Sequence, residues 1–322
     1  MKKIILILLS LIFIVTSYAG EREDEFERQL SQLKSPKDLM IENGFAKVRV
    51  GDEFILPYAN IEIIPTDERE TYSFNKKLKI NNSNPEVVSV NAFGLVKALK
   101  IGMSKIQIEE NNKTTDFVVE VGTDHAPLSI QNLVYIGKRE FLSNQMHRLP
   151  KYNQYAKWYY KKKKEVGWCS VFASYCVNAA GLNTFKYDTI NKDSANKDYV
   201  FGLLEGQVGH QWDGYSSVNR FVDIPKPGYF VIYGNTKNAY KFTHIGLVVD
   251  VVNKGDGIYK ITTVEGNMSN TVKCYSYLYD SKIKHPKKNI SELPKSEQTN
   301  QLIQYKEHTG YWSVFGFCAT WK

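Results

Sequence analysis

The chain has 322 residues, four cysteines and a formal charge of +8. So few cysteines over this length exclude a disulfide scaffold, and only the N-terminal apolar run approaches a membrane span, so no stable span is left once that run is removed. The basic excess, on a chain that opens with an export signal, favours an anionic polymer such as a phosphate- or carboxylate-rich cell wall over nucleic acid as partner.

In chain order, Met1-Lys2-Lys3, the apolar stretch Ile4 to Val15 and the polar end Thr16-Ser17-Tyr18-Ala19 read as a secretory signal peptide over 1–19, with cleavage expected after Ala19. An uncleaved anchor is the alternative, and no cysteine follows the run to take a lipid. Removing Lys2 and Lys3 lowers the formal charge from +8 to +6. The mature chain is expected to be secreted or associated with the cell envelope.

Residues 20–39 are a charged tether in which Leu30 and Leu33 hint at a short helix. From 40 to 122 come short β-rich runs, AKVRV, EFILPY, EVVSV, LVKAL, SKIQI and DFVVEV, separated by Gly, Asn, Asp and Pro. Alternation at Val48/Val50 and Ile106/Ile108 predicts half-buried antiparallel strands in a small all-β sandwich. Pro127 and Gly137 punctuate a linker over 123–149, closed by Pro150.

The second domain, 150–322, opens with a predicted helix from Tyr152 to Lys164 that carries the densest basic run, Lys161 to Lys164, on a solvated face or a binding patch. A second helix is predicted within Gly167–Gly181, and Gly202 to Gly214 reads as a loop with His210 and Trp212. After Pro225-Lys226-Pro227-Gly228 the strand-like runs YFVIY, FTHIGLVVDVV, YKITTVEG, VKCYSYLY and WSVFGFCATW follow. Helices followed by successive strands predict an α+β domain with helices packed on one antiparallel sheet.

The stretch GWCSVFASYCVNAAG concentrates the chemistry. Cys169, Phe172, Ala173, Cys176, Ala179 and Ala180 recur at helical spacing and predict one buried stripe, with Gly181 as the stop. Cys169 then lies in the first turn, where unsatisfied N–H groups and the positive end of the macrodipole favour a thiolate. Free cysteines are more often small core hydrophobes, so Cys169 becomes a candidate nucleophile only through its company. Cys169 and Cys176 are seven residues apart on one helix, about 10.5 Å, beyond disulfide reach. Cys176, Cys274 and Cys318 allow at most one bridge.

A thiolate mechanism needs a base, a group that orients the base, and donors for the oxyanion. On the strand 242–252 alternation puts His244, Gly246, Val248 and Asp250 on one face, and Gly246 leaves room for a close approach. Glu265 and Asn267, two apart in an extended segment, are expected on one face, where either can bond the distal imidazole nitrogen. By itself Glu265-Gly266-Asn267 reads as a polar turn. Trp168, His210 and Trp212 are candidate substrate contacts, whereas His125, His285 and His308 lie in the linker or in polar segments.

Two resemblances follow. Ser89-Val90, then Gly94-Leu95-Val96, then Gly102 to Ile108 resemble the second half of a bacterial Ig-like domain of group 2. That implies a surface spacer ahead of a specific binder. Trp168-Cys169 with Phe172 and Ser174, the PKPG turn, Thr243-His244-Ile245-Gly246, Val264-Glu265-Gly266-Asn267 and Phe315-Gly316-Phe317 resemble, in order, the CHAP amidase/peptidase family of papain-like cysteine hydrolases. The resemblance implies Cys169 as nucleophile, His244 as general base, and Glu265 with Asn267 orienting the histidine or supporting the oxyanion. Tyr229 stands where that family usually has an aspartate.

The expectation is a secreted bacterial peptidoglycan hydrolase cutting a wall-peptide amide through an acyl-enzyme, as an N-acetylmuramoyl-L-alanine amidase or an endopeptidase. The alternatives are a thiol amidase acting as an effector on a non-wall amide and a non-catalytic surface adhesion protein. No cofactor is expected; some members of the family bind calcium, but Asp188, Asp193 and Asp198 lack a ligand spacing for it.

Overall fold

The computed structural model describes residues 27–57, 61–65, 70–74, 77–110, 113–145, 147–182, 184–190, 200–235, 241–282 and 312–322. The leader 1–19 lies outside them, as do Asp193, Asp198, His285 and His308. The chain divides into two compact units, 34–132 and 133–322.

The first unit begins with the helix Pro36–Asn43, which is capped reciprocally. Ser35 Oγ accepts from Asp38 N, Asp38 Oδ2 accepts from Ser35 N, each at 3.1 Å, and Gly44 ends the helix in the left-handed conformation. The strands β1 (Phe45–Val48), β2 (Glu53–Ile55), β3 (Ile61–Pro65), β4 (Glu70–Phe74), β5 (Lys79–Asn82), β6 (Val88–Val90), β7 (Leu95–Ala98), β8 (Gly102–Glu110) and β9 (Lys113–Val121) follow. They form sheets of order β1-β9-β8-β5, β2-β7-β6 and β3-β4, with β1 parallel to β9. Ala46, Val48, Ile106, Phe117 and Val119 of the first sheet share one buried cluster with Val88, Val96 and Ala98 of the second. Period-two alternation places them there: β7 reads exposed, buried, exposed, buried.

The stretch 123–149 is mostly helix. Leu128–Asn144 is a 17-residue helix that crosses the boundary between the units. Gly137, read from sequence as punctuation, lies inside it. A Cβ there would come within 2.5 Å of Leu247 Cδ2, so glycine permits a close approach of the helix to a strand.

In the second unit the predicted 152–164 helix is shorter. It runs Gln154–Tyr160, with Asn153 Oδ1 capping its first N–H groups and Lys161 in the left-handed conformation ending it. The lysine run therefore lies beyond the helix, exposed, on the segment leading to Cys169. The next helix is Cys169–Ala179, then come β10 (Thr184–Lys186) and β11 (Gly202–Leu204), paired in parallel. The predicted 202–214 loop is instead β11 followed by the helix Val208–Ser217.

The remaining strands are β12 (Phe221–Val222), β13 (Phe230–Asn235), β14 (Lys241–Gly255), β15 (Ile258–Glu265), β16 (Lys273–Asp280) and β17 (Trp312–Cys318). They build one antiparallel sheet of order β12-β17-β13-β14-β15-β16. The Cys169 helix packs against β11 and β14. Tyr229, in the place of the family's aspartate, is buried and donates its hydroxyl to Trp321 O at 2.9 Å, so it ties the turn after Gly228 to the C-terminal residues. All four cysteines are free thiols.

Candidate active site

Cys169 is the first residue of its helix, and Trp168 at the N-cap makes no side-chain cap bond. The first-turn amides therefore point past the thiol, and with the helix dipole they favour negative charge there. The helix is fixed from behind: Ser170 and Ser174 donate to Glu205 O at 2.6 and 2.9 Å, and Gln211 Nε2 reaches the same carbonyl at 3.2 Å. Cys169, Phe172, Ala173 and Cys176 are buried as the stripe predicts, but Ala179 is exposed. Cys169 is 8% exposed.

His244 and Glu265 come from adjacent strands, β14 and β15. His244 Nε2 lies 2.9 Å from Glu265 Oε2, with the two residues 3% and 0% exposed. A carboxylate only accepts hydrogen bonds, so Nε2 carries the hydrogen and Nδ1 is left for Cys169. Gly246 makes the approach possible, because a Cβ there would fall 2.7 Å from Glu265 Cγ.

The carboxylate is held further. Its Oε1 accepts from Tyr233 Oη and from Thr263 Oγ1, both at 2.7 Å, and Tyr277 Oη lies 2.6 Å from Tyr233 Oη. The Tyr233 ring stacks over His244 with centroids 5.8 Å apart. Burial alone would push the imidazole toward neutrality, but hydrogen bonds and charge from Cys169 and Glu265 outweigh it and raise the His244 pKa to about 9. At neutral pH the imidazole is thus held protonated between Cys169 and Glu265.

Asn267 reaches the site differently from the expectation. The strand ends at Glu265, and Gly266-Asn267 is a turn in which Asn267 has φ 65°, so the two side chains do not share a strand face. The turn still brings Asn267 Nδ2 within 3.5 Å of a Cβ position on Gly167, two residues before the thiol. Gly266 packs under the Cys169 helix, where a Cβ would fall 2.6 Å from Phe172 Cβ and 2.9 Å from Trp168 Cζ3.

The three expected substrate contacts separate. Trp168 is fully buried and stacked on Tyr155 at 5.5 Å, so it packs in the core. His210 is partly exposed on the helix Val208–Ser217, stacked on Tyr187 at 4.4 Å and 3.5 Å from Glu205. Trp212 stacks on Phe242, two residues before His244, at 4.6 Å. Sequence reasoning missed Tyr233, Thr263 and Tyr277, and no local motif marks them: they lie in three different strand-like runs that meet only through the register of the sheet. Among the described residues no group of three or more His, Cys, Asp or Glu converges as a metal site.

Residues 158–267 match the CHAP domain family. CHAP domains are usually hydrolases acting on peptidoglycan with a cysteine nucleophile, so the match points to an amidase or peptidase of peptidoglycan in general. No curated protein matches the chain.

Proposed function

We propose that this chain is a secreted cysteine hydrolase of the cell wall, cutting an amide bond of peptidoglycan peptides as an N-acetylmuramoyl-L-alanine amidase or an endopeptidase. The observation that carries the reading is the hydrogen-bonded line Cys169–His244–Glu265, standing at a helix N-terminus inside the segment similar to CHAP domains.

In this reading the Cys169 thiolate attacks the amide carbonyl carbon, and negative charge develops on the oxygen. First-turn N–H groups and the Asn267 amide supply donors for it. His244 gives its proton to the departing amine, the C–N bond breaks, and a thioester on Cys169 remains. Neutral His244 then takes a proton from water, which attacks the thioester and releases the carboxylic acid and the Cys169 thiolate beside a protonated His244. Glu265 keeps the imidazole oriented and compensates its charge in both halves. His210 and Trp212 line the approach to the substrate. The first unit serves as a bacterial Ig-like spacer, a reading supported by Gly94 just before β7 and Gly102 at the start of β8, both at positive φ.

The test is mass spectrometry of the soluble fragments that the protein releases from purified peptidoglycan, beside Cys169→Ala. Stem peptides freed from intact glycan identify the amidase, and shortened or uncrosslinked peptides the endopeptidase. Equal release by Cys169→Ala would remove the thiol from the mechanism.

A further inference from the structure

Four consecutive strands each give one residue to a single hydrogen-bonded line: Tyr233 from β13, His244 from β14, Glu265 from β15 and Tyr277 from β16. Tyr233 stands opposite His244 in the β13–β14 register, and both phenols are almost completely buried. Phenylalanine would fill the same ring volumes without burying a hydroxyl, so the hydroxyls call for an account of their own. Tyr233 has one proton, and the carboxylate takes it. The 2.6 Å contact with Tyr277 must therefore use the Tyr277 proton, which makes the order Tyr277 to Tyr233 to Glu265.

We propose that Tyr233, with Tyr277 behind it, is a positioning pair that sets how tightly the His244–Glu265 couple holds its proton. The proposal rests on Cys169 and His244 being the reacting pair. Each donor on Oε1 draws charge from the carboxylate and weakens its pull on the imidazolium proton through Oε2. Tyr277 polarises the Tyr233 O–H and strengthens that effect at one remove. A carboxylate facing His244 without these phenols would hold the proton harder, and His244 would deliver it to a leaving amine more slowly.

Other described groups also face the couple. Cys169 meets the far side of the imidazole from its helix, and Thr263 shares Oε1 from the same strand as Glu265. On β16 Cys274 feels the charge of Glu265, and Lys138, from the helix Leu128–Asn144, opposes it there. Neither phenol substitution alters these groups.

The experiment compares Tyr233→Phe, Tyr277→Phe and the double variant in the full chain. One readout is the pH profile of Cys169 alkylation by iodoacetamide, which needs no wall substrate, and the other is kcat and KM on soluble muropeptides. In Tyr233→Phe the upper inflection of the alkylation profile is expected to rise by about half to one pH unit, with kcat lowered about threefold to tenfold and KM unchanged. Tyr277→Phe shifts the same way by less, and the double variant matches Tyr233→Phe, since Tyr277 acts through Tyr233. Thr263→Val removes the second donor and gives an independent shift in the same direction if Tyr233→Phe does not fold. An upper inflection that stays in place in the folded variants, or shifts that add in the double variant, would overturn the proposal. Moved profiles in a protein that releases nothing from walls would leave the pair standing and sink the hydrolase reading instead.

Discussion

Gly246 stands where a methyl group would lie 2.7 Å from Cγ of Glu265 and 3.1 Å from its Oε1. The missing side chain is what lets a carboxylate on β15 reach over β14 to His244. Gly246→Ala is expected to push Glu265 aside, with activity down more than about tenfold and stability down by about 1–3 kcal/mol. Kinetics on muropeptides and urea denaturation measure the two effects. Wild-type activity in a folded Gly246→Ala would show that the Glu265 geometry is not needed.

His244 also links folding to pH. Its pKa rises from an ordinary 6.5 to about 9 in the folded chain, so between those values the native state keeps a proton that the unfolded state releases. The stabilisation is fully present below pH 6.5 and is lost as the pH rises through about 9, and it amounts to roughly 3 kcal/mol. Denaturation measured below 6.5 and above 9 should show this fall in wild type and not in His244→Gln. Equal slopes in both proteins would place the pH dependence elsewhere.

Gly266 meets a less yielding neighbour. A Cβ there would fall 2.6 Å from Cβ and from Cγ of Phe172, atoms close to the helix backbone, so the Cys169 helix itself must shift. Gly266→Ala should lose about 1–3 kcal/mol and slow Cys169 alkylation together with hydrolysis. Unchanged alkylation would mean that the helix and the turn at Gly266-Asn267 move independently.

Trp168 is expected to matter to folding rather than to substrate. It is fully buried between Tyr155 and Phe172, and its Nε1 has no hydrogen-bond partner among the described residues. Trp168→Ala should cost about 3–5 kcal/mol, whereas Trp168→Phe keeps an aromatic ring and should leave KM where it is. A raised KM in a stable Trp168→Phe would restore the tryptophan as a substrate contact.

What the sequence made legible has a local cause. Helical spacing put Cys169 at the head of a buried stripe, strand alternation put His244 and Gly246 on one face, and Glu265 followed two strands' length on. The structure brings these side chains together. Tyr233 and Tyr277 were illegible because their roles depend on strand register, which no single run specifies. Glycines misled twice, at Gly137 and in the stretch ending at Gly214, by suggesting breaks inside what are helices. Both serve a close approach: a Cβ on Gly137 would fall 2.5 Å from Leu247 Cδ2, and one on Gly214 2.7 Å from Leu203 Cδ2. Tertiary contacts of that kind outweigh the helix propensity that glycine lacks. Trp168 followed the opposite course: an aromatic next to the nucleophile suggests a substrate contact, but its place in the ring cluster with Tyr155 emerges only from the packing of two helices.

The central claim is that Cys169 carries the acyl group of the wall amide that is cut. Intact-protein mass spectrometry of the full chain, quenched in acid during turnover of muropeptides, tests it most directly. An adduct on Cys169 is predicted, peptide-sized for an endopeptidase and muramoyl-glycan-sized for an amidase, that hydroxylamine removes and that Cys169→Ala never shows. Fragment release without any adduct, continuing at the same rate in Cys169→Ala, would contradict it.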